Sequence, residues 1–227
     1  MENEERGEAS SSQNGSITIT EIKKGGIRGK KTEIVLSDGS SFFLSPKIVR
    51  TEGLEKGCSF PVERLGLLLK LSEEESACNR ALTLLSRREH SETELRKKLL
   101  NRGYSVKAID NVTKKLKYYG YIDDGRFARE WLSVRLRNHP EGRRALYFGL
   151  LKKGVKREIA EDTIKEVLTA EAEMMALEKA IKQVSGRTGY DKAKMKRALS
   201  GRGFSLSLIK VFLEEQIFSL IFWIDLL

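Results

Sequence analysis

Three glycines, Gly103, Gly154 and Gly203, fall 51 and 49 residues apart, and the residues around them recur. Each follows a basic residue (Arg102, Lys153, Arg202), and each precedes an apolar or aromatic one (Tyr104, Val155, Phe204). Four positions upstream stands a leucine (Leu99, Leu150, Leu199), and eight upstream another apolar residue (Leu95, Leu146, Met195). Apolar residues four apart, closed by glycine, describe a short amphipathic helix that ends in a left-handed residue. Recurrence at a near-fixed period of this length is the pattern of stacked helical units, each burying its face on a neighbour. The expected fold is therefore mainly α, with three tandem three-helix repeats in a curved array.

A different pattern precedes the repeats. Residues 1–15 are polar and are expected to be a disordered tail. Ser16–Ile22 alternates apolar and polar residues, Thr32–Leu36 is apolar and β-branched, and Ser37-Asp-Gly-Ser40 is a hairpin turn leading into Ser41–Leu44. A small antiparallel β segment with a short helix is expected over 16–71, with the basic loop 23–31 between its first two strands. Repeat one is placed at 72–122, opened by a capping box Ser72-Glu-Glu-Glu75, with a second capping box at Ser91-Glu-Thr-Glu94. Its inward residues are expected to include Leu95, Leu99 and Leu100, then Val106, Ile109, Val112 and Leu116. Asp123-Asp124 is expected to cap the first helix of repeat two (123–170), with helices at about 143–152 and 156–168. Repeat three (171–227) has a basic helix at 192–199, a last helix from Ser205, and an apolar end, Ile217–Leu227, expected to extend that helix. Gly149 sits in mid-helix, where glycine is a poor choice, and is expected to mark close packing.

Motifs for chemistry are missing. The chain has no Walker loop, no dinucleotide fingerprint, no H-E-x-x-H and no G-x-S-x-G. Cys58, Cys78, His90 and His139 have no metal-ligand spacing, so neither metal nor cofactor is expected. His90 is expected to be a capping or surface residue, and the chain is not expected to be an enzyme. With no signal-like apolar segment at the N-terminus and no apolar run of membrane-spanning length, a cytoplasmic monomer is expected.

Charge carries the functional signal. Lys and Arg total 42 against 32 Asp and Glu, a net charge of +10. The first 72 residues hold 11 basic and 10 acidic side chains, so nearly all the excess lies in the repeats. The candidate contacts to a polyanion are Arg87, Arg88, Arg96, Lys97, Lys98, Arg102, Lys114, Lys115, Arg143, Arg144, Lys152, Lys153, Lys194, Arg197 and Arg202. Any one of them is also an ordinary solvated helix residue; recurrence across the repeats favours a continuous basic surface. Phe127, Trp131 and Phe212 occupy core spacings, and no aromatic interleaving marks a base-stacking surface.

Arg88-Glu-His-Ser-Glu-Thr-Glu-Leu-Arg-Lys-Lys-Leu99, Arg102-Gly-Tyr104, and Gly120-Tyr-Ile-Asp-Asp124 with Phe127-Ala128 together resemble the RecX family, bacterial regulators of the RecA recombinase. The resemblance covers about residues 16–216. It implies a non-catalytic protein that binds the groove of the RecA filament on single-stranded DNA and restrains filament growth, ATP hydrolysis and strand exchange. DNA alone is a further partner implied by it. Two other readings stay open: a free-standing nucleic-acid-binding protein, and a scaffold that recruits a partner through its apolar end.

Overall fold

The computed structural model describes residues 15–25, 31–188 and 191–213. The tail 1–14, the centre of the basic loop (26–30) and the apolar end 217–227 lie outside the described residues. The chain divides into two compact units, one through Asn79 and one from Arg80.

The first unit is a four-stranded antiparallel sheet, β1 (Ser16–Gly25), β2 (Lys31–Leu36), β3 (Ser41–Leu44) and β4 (Ser59–Pro61), in the order β3-β2-β1-β4. Ile22 faces Ile34, Ile34 faces Phe42, and Ile17 faces Phe60, so the period-2 alternation places one set of apolar side chains on one side. That side forms a core of Ile17, Ile19, Ile34, Leu36, Leu44, Ile48, Leu54, Phe60 and Leu68. The Asp38-Gly39 turn forms as expected: Gly39 takes φ +84°, and the Asp38 carboxylate accepts from the Ser40 amide at 2.9 Å. Helix α1 (Pro46–Thr51) is capped by Ser45, whose hydroxyl accepts from the Ile48 amide. Strand β4 has no signature in sequence, because three residues ending in proline show no alternation.

Helix α2 (Val62–Leu85) corrects the first capping box. It starts ten residues before Ser72, because Leu65 and Leu68 find the sheet core to pack against. Ser72 lies mid-helix, and its hydroxyl donates to the Phe43 carbonyl at 3.3 Å.

The second unit continues through α3 (Glu92–Leu100), α4 (Val106–Tyr118), α5 (Asp124–Asn138), α6 (Arg143–Lys152), α7 (Arg157–Val167), α8 (Ala170–Thr188) and α9 (Lys192–Gly201), with a helical stretch at 206–213. Caps follow the sequence. Ser91, Ser105, Asp123 and Asp191 each accept from the amide three residues on. Phe127, Leu132, Leu146, Leu150, Val155 and Ile164 form one core, and Leu177, Met195, Leu199, Phe204 and Ile209 another. Leu100 and Val106 correct the expected inward set: both are exposed, since each lies beside a helix end and off the buried stripe of its helix.

The three glycines close their helices alike. Gly103, Gly154 and Gly203 have φ of +85°, +81° and +85°. Two of these corners are seated on the start of another helix. The Ser91 hydroxyl donates to the Lys153 carbonyl at 2.6 Å and the Thr93 hydroxyl to the Gly154 carbonyl at 3.3 Å. In the same way the Gly142 amide donates to the Arg202 carbonyl at 2.9 Å and the Arg144 amide to the Gly203 carbonyl at 3.3 Å. Gly149 packs as its position implies, because a Cβ there would run into the Trp131 ring.

Candidate partner and nucleic-acid interface

The structure sorts the fifteen candidate cations into two groups. One is tied into the fold. Arg88 and Lys153 both reach the Glu94 carboxylate, at 3.0 and 2.8 Å. Arg96 pairs with Asp110 and donates to the Thr113 hydroxyl. Lys98 donates to His90 Nε2 at 3.0 Å. Arg143 donates to the Leu168 carbonyl at 2.9 Å and lies 3.6 Å from Glu173. Arg202 donates to Gln183 at 2.9 Å, Lys194 lies 3.6 Å from Asp191, and Arg197 donates to the Ala193 carbonyl at 3.4 Å. These side chains spend their donors on helix ends and junctions.

The other group comprises Arg87, Lys97, Arg102, Lys114, Lys115, Arg144 and Lys152. All are exposed, and none has an ion pair or side-chain hydrogen bond among the described residues. Arg144 and Lys152 flank the exposed Phe148 at one-turn intervals on α6. Lys114 and Lys115 precede the exposed Tyr118 and Tyr119 by one turn of α4. Spacing does not separate the two groups, because it says nothing about where an acidic partner from another helix will fall. Sequence reasoning also passed over Arg126, which pairs with Glu89 at 2.6 Å and holds the Gly120 and Tyr121 carbonyls at 3.2 Å.

Polar contacts join α3 to the start of α5 and to the end of α6. Burial opposes ionisation of Glu94, but the hydrogen bonds from Lys153 and Arg88 outweigh it and hold the carboxylate below its ordinary 4.5. Asp123 caps α5 as expected. Asp124 instead accepts from the Glu92 amide at 2.9 Å, and burial pushes its carboxyl up. His90 corrects the expectation of a surface residue: it is 2% exposed. Its Nδ1–H donates to the Arg88 carbonyl at 2.9 Å, so Nε2 is the lone-pair nitrogen that accepts from Lys98. Burial, followed by the charges of Arg88 and Lys98, lowers its pKa from 6.5 despite the Arg88 carbonyl.

A histidine kept neutral in the fold takes up its proton more readily once unfolded. Its contribution is therefore intact above the unfolded value of 6.5 and is lost as pH falls through it. Chemical denaturation at about pH 7.5 and about pH 5.5, the ordinary histidine titration range, should show a loss of stability at the lower pH that shrinks in His90→Asn. An unchanged pH dependence in that variant would show that His90 is not the titrating group.

Among the described residues no cluster of His, Cys, Asp and Glu is arranged to hold a metal, and no helix is long and apolar enough to cross a membrane. The family models for the first and second three-helix domains of RecX match residues 77–116 and 123–164. The regulatory protein RecX of Prosthecochloris aestuarii is 34% identical over 144 residues, 63% of this chain and 95% of that protein. This chain belongs to the RecX family. The RecX of Clostridium acetobutylicum is 30% identical over 209 residues, 87% of this chain and 95% of its own length, so the likeness extends beyond the two matched domains. A crystal structure of a regulatory protein RecX superposes with a TM-score of 0.71 at 19% identity, covering 87% of this chain and 99% of that one. RecX from Lactobacillus salivarius gives 0.56 at 23% identity, over 63% of this chain and 96% of its own. At these identities the two structures speak for the RecX fold alone.

Proposed function

We propose that this RecX is a non-catalytic modulator of the RecA recombinase that lies in the groove of the RecA filament on single-stranded DNA. There it restrains filament growth, ATP hydrolysis and strand exchange. The observation that carries this reading is the set of exposed cations on α3, α4 and α6 that have no partner among the described residues, in a chain whose relatives are named as regulatory proteins. A long polyanionic lattice offers phosphates or acidic side chains to many such cations at once, and each contact adds a small, salt-sensitive increment. The paired cations keep the junctions in place, whereas the unpaired ones meet the partner.

The reading extends to the organisation of the chain. Residues 72–122, 123–170 and 171–227 are three copies of one unit that follow the β segment 16–71 and the tail 1–15, and the two seated corners supply the link from copy to copy. The array acts as a cytoplasmic monomer.

The test is RecA ATP hydrolysis on single-stranded DNA, titrated with this protein at two DNA concentrations. Inhibition at well below one protein per RecA, unchanged by extra bare DNA, is the expected result. Inhibition relieved by bare DNA would replace this reading with competition for the DNA lattice. Arg144→Ala with Lys152→Ala should weaken binding to the filament and flatten its salt dependence by about 0.7 per lost phosphate contact, with an unaltered unfolding midpoint. An unaltered salt dependence would remove α6 from the interface.

A further inference from the structure

Three tyrosines lie within four residues at the end of α4, and all three are exposed among the described residues. Tyr118 is 84% exposed, Tyr119 61% and Tyr121 53%, while Ile122 beside them is buried at 3%. A turn that sinks Ile122 into the core and leaves three large rings mostly in water gains little stability from those rings.

The turn is also well fixed. Gly120 takes φ +71°, the Gly120 amide donates to the Lys117 carbonyl at 3.0 Å, and the Tyr121 amide donates to the Leu116 carbonyl at 2.8 Å. From the other side, the Arg126 guanidinium holds the carbonyls of Gly120 and Tyr121. Tyr118 and Tyr119 meet edge to face, with ring centroids 5.2 Å apart and planes at 79°. Tyr118 and Tyr119 are thereby oriented against each other while both stay largely in water.

Lysines lie on the preceding turn of the helix. Lys114 and Lys115 lie one turn behind Tyr118 and Tyr119, exposed and without partners among the described residues, whereas Lys117 is neutralised by Glu92 at 2.7 Å. Exposed rings beside these ammonium groups fit unpaired bases joined by phosphates, since every base has a face to stack and every step carries one negative charge. A duplex hides its base faces, so double-stranded DNA gains only the lysine contacts.

The geometry points to a base-stacking site for single-stranded nucleic acid, formed by Tyr118 and Tyr119 with Tyr121 alongside and with Lys114 and Lys115 holding the phosphates. It rests on the reading of this RecX as a ligand of filaments on single strands, and it assigns which residues meet the strand and by what chemistry.

Its test needs no RecA, so its failure is separate from failure of the filament reading. The probes are a labelled oligothymidylate and an abasic strand of the same length, which keeps the phosphates and lacks the bases. The wild-type protein should prefer the base-bearing strand. Tyr118→Ala with Tyr119→Ala should lose about tenfold or more on that strand, lose little on the abasic one, and keep its salt slope. Tyr118→Phe with Tyr119→Phe should restore the preference. Lys114→Ala with Lys115→Ala should weaken both strands and flatten the salt slope by about 1.4, at 0.7 per phosphate. Equal affinity of the wild type for the two strands, or an equal loss on both in the alanine variant, would overturn the site.

Discussion

Gly154→Ala is expected to destabilise the fold by about 3 kcal/mol, well beyond the loss from Gly103→Ala. Both glycines are left-handed, at φ +81° and +85°, so alanine meets the same backbone penalty of about 1–2 kcal/mol at each. Their surroundings differ. A Cβ on Gly103 meets nothing, whereas one on Gly154 is driven into the Thr93 side chain at the start of α3. Overpacking of that kind adds about 1–3 kcal/mol, and it also threatens the two hydroxyl–carbonyl bonds that seat the corner. Gly203 is left-handed and pressed against Ala145, so Gly203→Ala belongs with Gly154→Ala. Urea unfolding of the three variants reads the difference directly. Equal losses at Gly103 and Gly154 would mean that the corner is not held against α3. Against a typical domain stability of about 5–15 kcal/mol, the larger loss is enough to deplete the folded protein.

These corners also show how far the sequence was legible. The left-handed glycines, the buried apolar residues four and eight positions before them, and the Ser91, Ser105 and Asp123 caps all follow from local rules, and all are where those rules put them. What a distant segment decides was not legible. Ser72 satisfies a capping box on paper, yet α2 begins at Val62 because Leu65 and Leu68 meet a sheet made by residues far upstream. Glu94 completes the Ser91 capping box in sequence, but its carboxylate goes to Lys153, 59 residues on, and to Arg88. The interface was legible at the same level. Repetition identified the helices that carry cations, but only the fold separates Arg96, held by Asp110, from its neighbour Lys97. The tyrosine turn was passed over because Tyr118 and Tyr119 resemble a helix end in sequence, and only their exposure distinguishes them from core aromatics.

Glu94→Gln should move stability and polyanion affinity in opposite directions. In the wild type the Glu94 side chain is 17% exposed and accepts from two cations that belong to different elements. Glutamine keeps the shape and removes the charge, so Arg88 and Lys153 remain close together with only a neutral oxygen between them. The expected cost is about 1–2 kcal/mol, toward the lower end because both cations are partly in water, at 45% and 38% exposed. The pH dependence has a definite sign. Glu94 is held below its ordinary 4.5, so its contribution is present above that value and lost as the medium is acidified through it. Stability curves of wild type and variant should therefore converge in acid. Binding should change the other way. Released from Glu94, Arg88 and Lys153 join Lys152 as donors to phosphate, and affinity for single-stranded DNA should rise. Its salt dependence should steepen by about 0.7 for each phosphate gained. A variant that is less stable but binds with an unchanged salt slope would show that Arg88 and Lys153 serve the junction alone. A steeper slope would mean that Glu94 restrains two cations from the surface that meets the partner, so that junction stability and polyanion binding compete for the same side chains.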